Sequence, residues 1–96
     1  MTNDDFEWDD EKAAGNLRKH GVSFEEARDV FKDAFGMLEL DLTRGYGEER
    51  LIFTGVARDR ILVVVHTERE DRIRIISARR ANKREQRDYY QNQTPQ

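Results

Sequence analysis

Cysteine is absent, proline occurs once, at Pro95, and histidine occurs twice. Without a thiol there is no disulfide framework, no thiolate zinc site and no cysteine nucleophile. No apolar run approaches the roughly 20 residues that a membrane helix needs. The acidic opening, residues 1–11, also lacks the basic-then-apolar order of a secretory signal. A reducing cytoplasm is therefore the expected setting, with no membrane partner. His20 and His66 fall in different expected elements with no ligand spacing between them, so neither a metal nor a cofactor is expected. Gly45 and Gly47 lack the GK[ST] ending of a phosphate loop, and no GxSxG elbow occurs, which removes support for nucleotide hydrolysis and acyl transfer.

What is abundant is charge, at 39% of the 96 residues beside 36% hydrophobic ones. That balance suits one small core and a single domain over residues 1–96. The net charge of −3 hides an asymmetry: residues 1–50 carry seven Lys/Arg against fourteen Asp/Glu, and residues 51–96 carry ten against six. Between Arg72 and Arg87 there are seven bases and one acid, Glu85. Such a run creates a local field that attracts phosphates or an acidic partner, although a solvated strand and helix face produces the same pattern.

Asp9 is placed to cap a helix over residues 10–20, with Ala13, Leu17 and His20 on one face and Gly21 as its left-handed cap. His20 at the end of that helix has a structural reading, bonded to the last carbonyls. Ser23 followed by Glu26 is a capping-box signature, with Val22 stapled onto Ala27, so a second helix is predicted from residue 24 to 31 or slightly beyond. The period then changes to two. Leu38, Leu40 and Leu42 alternate with polar residues as a strand with one wet face, and residues 44–47 read as a loop. Residues 50–57 and 61–67 are predicted to pair as a hairpin across a polar break at 58–60. A turn at 68–71 leads to a strand over 72–78, where Ile73, Ile75 and Ser77 share a face and the arginines project from the other. Asn82 with Glu85 caps a last helix to about Tyr90, and residues 91–96 are expected to fray. The implied class is α+β: two N-terminal helices, a four-stranded antiparallel meander sheet and a C-terminal helix.

Arg and Lys concentrated beside occasional Glu, His and Tyr suit one reaction in particular. Cleaving RNA without a metal takes a base for the 2′-hydroxyl, an acid for the leaving 5′-oxygen and fixed positive charge for the phosphorane. Arg69, Arg79, Arg80 and Lys83 are candidates for the charge. Glu68, His66, Glu85 and Tyr89 are candidates for proton exchange, with helix capping the competing role for Glu85 and core packing that for Tyr89. Arg72 and Arg74, on the same strand, act through the longer-range field on RNA. The competing reading is a module without catalysis, whose basic face docks a protein or nucleic acid.

Several blocks carry a family resemblance: Phe6-Glu7-Trp8-Asp9 with Lys12; Asn16-Leu17-Arg18 running into KHGVSFEEA at 19–27; VVHTER at 64–69; and RIRIISARRA at 72–81 with Glu85 and Tyr89. Together they resemble the BrnT toxins of bacterial type II toxin–antitoxin pairs over nearly the whole chain. The resemblance implies a RelE-like ribonuclease fold and inhibition of translation by RNA cleavage. The acidic N-terminal half suits nonspecific RNA affinity poorly, which points to a localised cleft or to RNA presented on the ribosome. The resemblance also implies neutralisation by a BrnA-type antitoxin that carries the DNA-binding part, so DNA is met only through the complex. Arg69 and Arg79 then match cationic positions beside the RNA, with Glu68 or His66 the expected proton acceptor. Arg72, Arg74, Arg80 and Lys83 are expected to bind RNA, whereas Lys19 and His20 admit both a functional and a scaffold role.

Overall fold

The computed structural model describes residues 5–42 and 49–93, so the expected loop at 44–47 and the end of the tail lie outside the described residues. The class is α+β. The elements run β1 (Phe6–Glu7), α1 (Asp10–His20), α2 (Phe24–Arg28), a 3₁₀ turn (Asp29–Lys32), β2 (Met37–Leu40), β3 (Leu51–Ala57), β4 (Arg60–Arg69), β5 (Arg72–Arg80) and α3 (Lys83–Asn92). Local signals explain the helix starts. The side chains of Asp9, Ser23 and Asn82 accept from the amides of Lys12, Glu26 and Glu85, and Gly21 closes α1 at φ 69°. The two hairpins turn through Arg58-Asp59 and Glu70-Asp71, all four at positive φ, as tight two-residue loops require.

The sheet corrects the four-stranded meander. Among the described residues it has five strands in the order β1-β5-β4-β3-β2, and it is mixed, because β1 runs parallel to β5 with Phe6 beside Ile73 and Glu7 beside Arg74. A two-residue strand has no period to read, and its pairing spans most of the chain. The second helix also changes: it is α-helical only to Arg28 and then tightens into the 3₁₀ turn that buries Val30. Its capping box is half formed, since the Glu26 carboxylate turns away to a two-pronged ion pair with Arg60. On β2 the leucines were expected to face a core. Leu38, Leu40 and the following Leu42 are instead 57%, 50% and 84% exposed, because β2 is an edge strand beyond the reach of the helices.

The core lies between one sheet face and α1, α2 and the 3₁₀ turn. It joins Trp8, Val22, Phe24, Ala27 and Val30 to Leu62, Val64, Ile75 and Ala78. Gly36 lets Phe53 into this layer, since a Cβ there would collide with the Phe53 ring. On α1 the inward residue is Asn16 rather than Leu17, which is 51% exposed. The reason lies at the sheet edge. Since β1 pairs only at Ile73 and Arg74, the outer edge of β5 is open further along, and Asn16 supplies the missing bonds. It accepts from the Ala78 amide (3.1 Å) and donates to the carbonyls of Ala78 (2.8 Å) and Val22 (2.9 Å). Asp33 serves the other edge, accepting from the Val56 amide (2.8 Å) beyond the end of β2 and from the hydroxyl of Tyr89, which ties α3 to the sheet.

Candidate functional site

The arginines of β5 share a face only because the strand is interrupted. Val65 of β4 pairs with Ser77 and His66 with Ile75, so Ile76 is an extra residue, a β-bulge. Ile73 and Ile75 point toward the helices, and after the bulge the phase inverts, so Ala78, at 1% exposed, takes the inward position expected for Ser77. Ser77 and Arg79 thereby join Arg72 and Arg74 on the outer face, with Arg69 of β4 directly opposite Arg72. Had the strand been regular, Arg80 would have held that place. It lies instead on the helix side, opposite the buried Leu62.

The row is long. At roughly 3.3 Å per strand residue, Arg72 and Arg79 are about 20 Å apart, too far for Arg69 and Arg79 to hold one phosphate. At one end Arg69 and Arg72 flank the β4–β5 turn. In the middle Arg74 pairs with Glu7 of β1 at 2.8 Å. At the other end Arg79 makes a parallel two-bond fork onto Glu85, at 2.7 and 2.8 Å. Glu85 also accepts from the Asn82 amide (2.9 Å), and Asn82 accepts from the Glu85 amide (2.8 Å), a complete capping box. The Arg79 guanidinium, opposed in part by burial and helped by the Asn82 amide, holds the Glu85 carboxyl below the usual carboxylate range. Glu85 is therefore ionised at neutral pH. This ion pair borders a hollow of about 180 Å³ that also meets Thr54, Val63 and Asp88.

The other expected proton carriers lie elsewhere. Glu68 and His66 alternate with Arg69 and Thr67 along β4, so they point to the helix side while the arginines point out. His66 is 2% exposed, its ring edge-on to Phe31 at 5.0 Å, and burial pushes its imidazole pKa down, leaving it neutral. Tyr89 is buried against Asp33, and burial followed by that carboxylate pushes its hydroxyl pKa up to about 12, so it stays a donor. Lys83, the first residue of α3, is exposed, as is Lys19 on α1, while His20 is half-buried at the end of α1. The structure thus joins Arg79 to Glu85 and separates both from Glu68 and His66. Asn16, in the same sequence block as Lys12, Lys19 and His20, has the scaffold role of holding α1 on the sheet: it clamps Ala78, the residue before Arg79. Among the described residues, no group of three His, Cys, Asp or Glu side chains is placed to hold a metal, and no helix is long and apolar enough to cross a membrane.

Residues 8–85 match the family of BrnT ribonuclease toxins of type II toxin–antitoxin systems. The chain belongs to that family. No curated protein matches it. The matched span ends on Glu85, so it takes in the whole of β5 and the partner of Arg79. Membership in the BrnT family gives the chain its class, a ribonuclease toxin, together with RNA as substrate and an antitoxin as partner.

Proposed function

We propose that this BrnT toxin is a metal-independent endoribonuclease that holds single-stranded RNA along the outer sheet face and cuts it at the Arg79–Glu85 end. The observation that carries the reading is the bulge at Ile76, which aligns Arg79 with Arg72 and Arg74 on one face. About 20 Å of arginines matches roughly six stacked nucleotides at about 3.4 Å each. Glu85, ionised and fixed by its cap, takes the 2′-hydroxyl proton. Arg79 offers forked positive charge to the phosphorane that forms as the 2′-oxygen attacks the adjacent phosphorus. The phosphorane collapses to a 2′,3′-cyclic phosphate as the P–O5′ bond breaks, and the leaving 5′-oxygen takes its proton from solvent water. Arg69, Arg72 and Arg74 hold the strand beyond the cut, and Arg80 and Lys83 contribute to the field around it. Glu68 and His66, on the helix side, have no part in this arrangement.

In the cell this chemistry inhibits translation in the cytoplasm, with ribosome-bound RNA as one form of the substrate. A BrnA-type antitoxin with a DNA-binding part neutralises it, and the single domain suffices for the cut. One observation favours the reading without catalysis: the Arg79 fork is already filled by Glu85, as a structural latch between β5 and α3 would be. Glu85→Gln separates the two, because glutamine keeps the capping box and loses the basic carboxylate. The proposal expects RNA fragments ending in 2′,3′-cyclic phosphate in excess chelator, and a rate about 10²- to 10⁴-fold lower for Glu85→Gln when assayed below its melting temperature, which should fall only slightly with loss of the partly exposed ion pair to Arg79. Cleavage lost in chelator and restored by a divalent ion refutes it, as does an undiminished rate in the variant.

A further inference from the structure

A cleft of about 720 Å³, four times the volume of the hollow at Arg79, opens at the opposite end of the sheet. Its apolar wall is Phe6 and Phe31, their ring centres 5.5 Å apart and tilted. Arg28 and Lys32, from α2 and the 3₁₀ turn, form a cationic rim, and Asp5 and Asp71 a carboxylate rim. Its volume is that of a ligand site, which runs from roughly 300 to 1,000 Å³. Its position connects it to the arginine row: Asp71 is in the β4–β5 turn, which Arg69 and Arg72 flank on the outer face. The cleft itself opens on the helix side, beside Ile73 and Phe31, so a strand leaving the row at Arg72 reaches it by crossing the β4–β5 turn.

We propose that the cleft is a subsite for one unpaired nucleotide of the RNA, selecting a base that carries an exocyclic amine. The inference rests on the RNA-cutting reading above and adds to it where, and on what, the strand is read. Unpaired bases are recognised by stacking on aromatic rings, which Phe6 and Phe31 provide. The nucleotide's phosphate meets Arg28 and Lys32. Ionised carboxylates only accept hydrogen bonds, so Asp71 and Asp5 favour cytosine, adenine or guanine, whose amines donate, over uracil, whose exocyclic groups are both carbonyls.

Fluorescence anisotropy with labelled 2′-O-methyl oligocytidylate and oligouridylate of equal length tests this, since neither probe can be cut. The whole chain should bind oligocytidylate roughly tenfold more tightly. Asp71→Asn, which tolerates the left-handed turn, should erase much of that preference. Phe6→Leu should weaken oligocytidylate binding roughly 5- to 100-fold, and Lys32→Ala should weaken it a few-fold with one fewer phosphate in the salt dependence. Lys32 is exposed, so its variant gives an answer even if Phe6→Leu folds poorly. Equal binding of the two probes, or wild-type affinity in Phe6→Leu and Lys32→Ala while Arg72→Ala loses it, overturns the subsite and leaves the RNA reading in place. Cleft variants that keep RNA affinity but release the antitoxin overturn it in favour of protein docking. Failure of the wild-type chain to bind either probe overturns both.

Discussion

Replacing Asn16 tests whether one side chain does the work of a missing strand. Its amide makes three buried hydrogen bonds, two to the Ala78 backbone and one to the Val22 carbonyl. At about 1 kcal/mol net for each, and with the Ala78 amide left unpaired, Asn16→Ala should cost about 3–4 kcal/mol. For a domain near this size that is a fall in melting temperature of roughly 12–30 °C. Asn16→Asp sharpens the test. A carboxylate can still accept from the Ala78 amide, but its second oxygen faces the carbonyls that Asn16 reaches at 2.8 and 2.9 Å, so burial and these oxygens raise its folded pKa above the ordinary value of about 3.9. The sign follows. Stability is greatest below about pH 4 and falls as pH rises through the raised pKa, so at pH 7 the aspartate should be worse than the alanine and at pH 4 better. Thermal melts of both variants between pH 4 and 8, with an RNA-cleavage assay below each melt, provide the measurement. Cleavage should fall even in folded samples, because the clamp holds the residue before Arg79. A loss under 1 kcal/mol for Asn16→Ala, or no crossing of the two pH curves, refutes the reasoning.

Arg79→Lys should slow RNA cleavage about 10²- to 10³-fold, nearly as much as Arg79→Ala, since a single ammonium cannot reproduce a fork; retention of most of the rate by lysine in single-turnover assays would contradict this. The Asp33 carboxyl is pushed up by burial but held below its ordinary value overall by bonds from Tyr89 and the amides of Val56 and Phe35. Its contribution is therefore present above about pH 4 and lost as pH falls through the depressed pKa, so Asp33→Asn should flatten the acid limb of stability measured by urea titration. Arg58→Asn with Asp59→Gly places the preferred pair in a turn now held by two side chains at φ 50° and 70°, and differential scanning calorimetry should show a gain of about 1 kcal/mol.

The sequence by itself determined the features that depend on neighbours a few residues apart. Asp9, Ser23 and Asn82 begin their helices because a cap needs only the amide three residues on, and Gly21 ends α1 because only glycine accepts a left-handed φ at little cost. The hairpins of β3, β4 and β5 follow from β-branched runs separated by short polar turns. The arginine content of the last strand was legible for the same reason, as was the capping role of Glu85. Tertiary structure decided everything that two distant segments settle between them. Phe6 and Glu7 become a strand only against Ile73 and Arg74, and Glu26 abandons its own helix cap because Arg60 offers a charge. Asn16 faces inward at the expense of Leu17 because an unfilled edge of β5 has amide and carbonyl groups that burial would otherwise leave unpaired. Above all, the bulge at Ile76 is not written in the alternation of RIRIISARR, which read at period two sends Arg80 rather than Arg79 to the face of Arg72 and Arg74. Once a strand slips by one residue every later side chain changes face, so pairing with β4, not local pattern, decides which arginine meets Glu85.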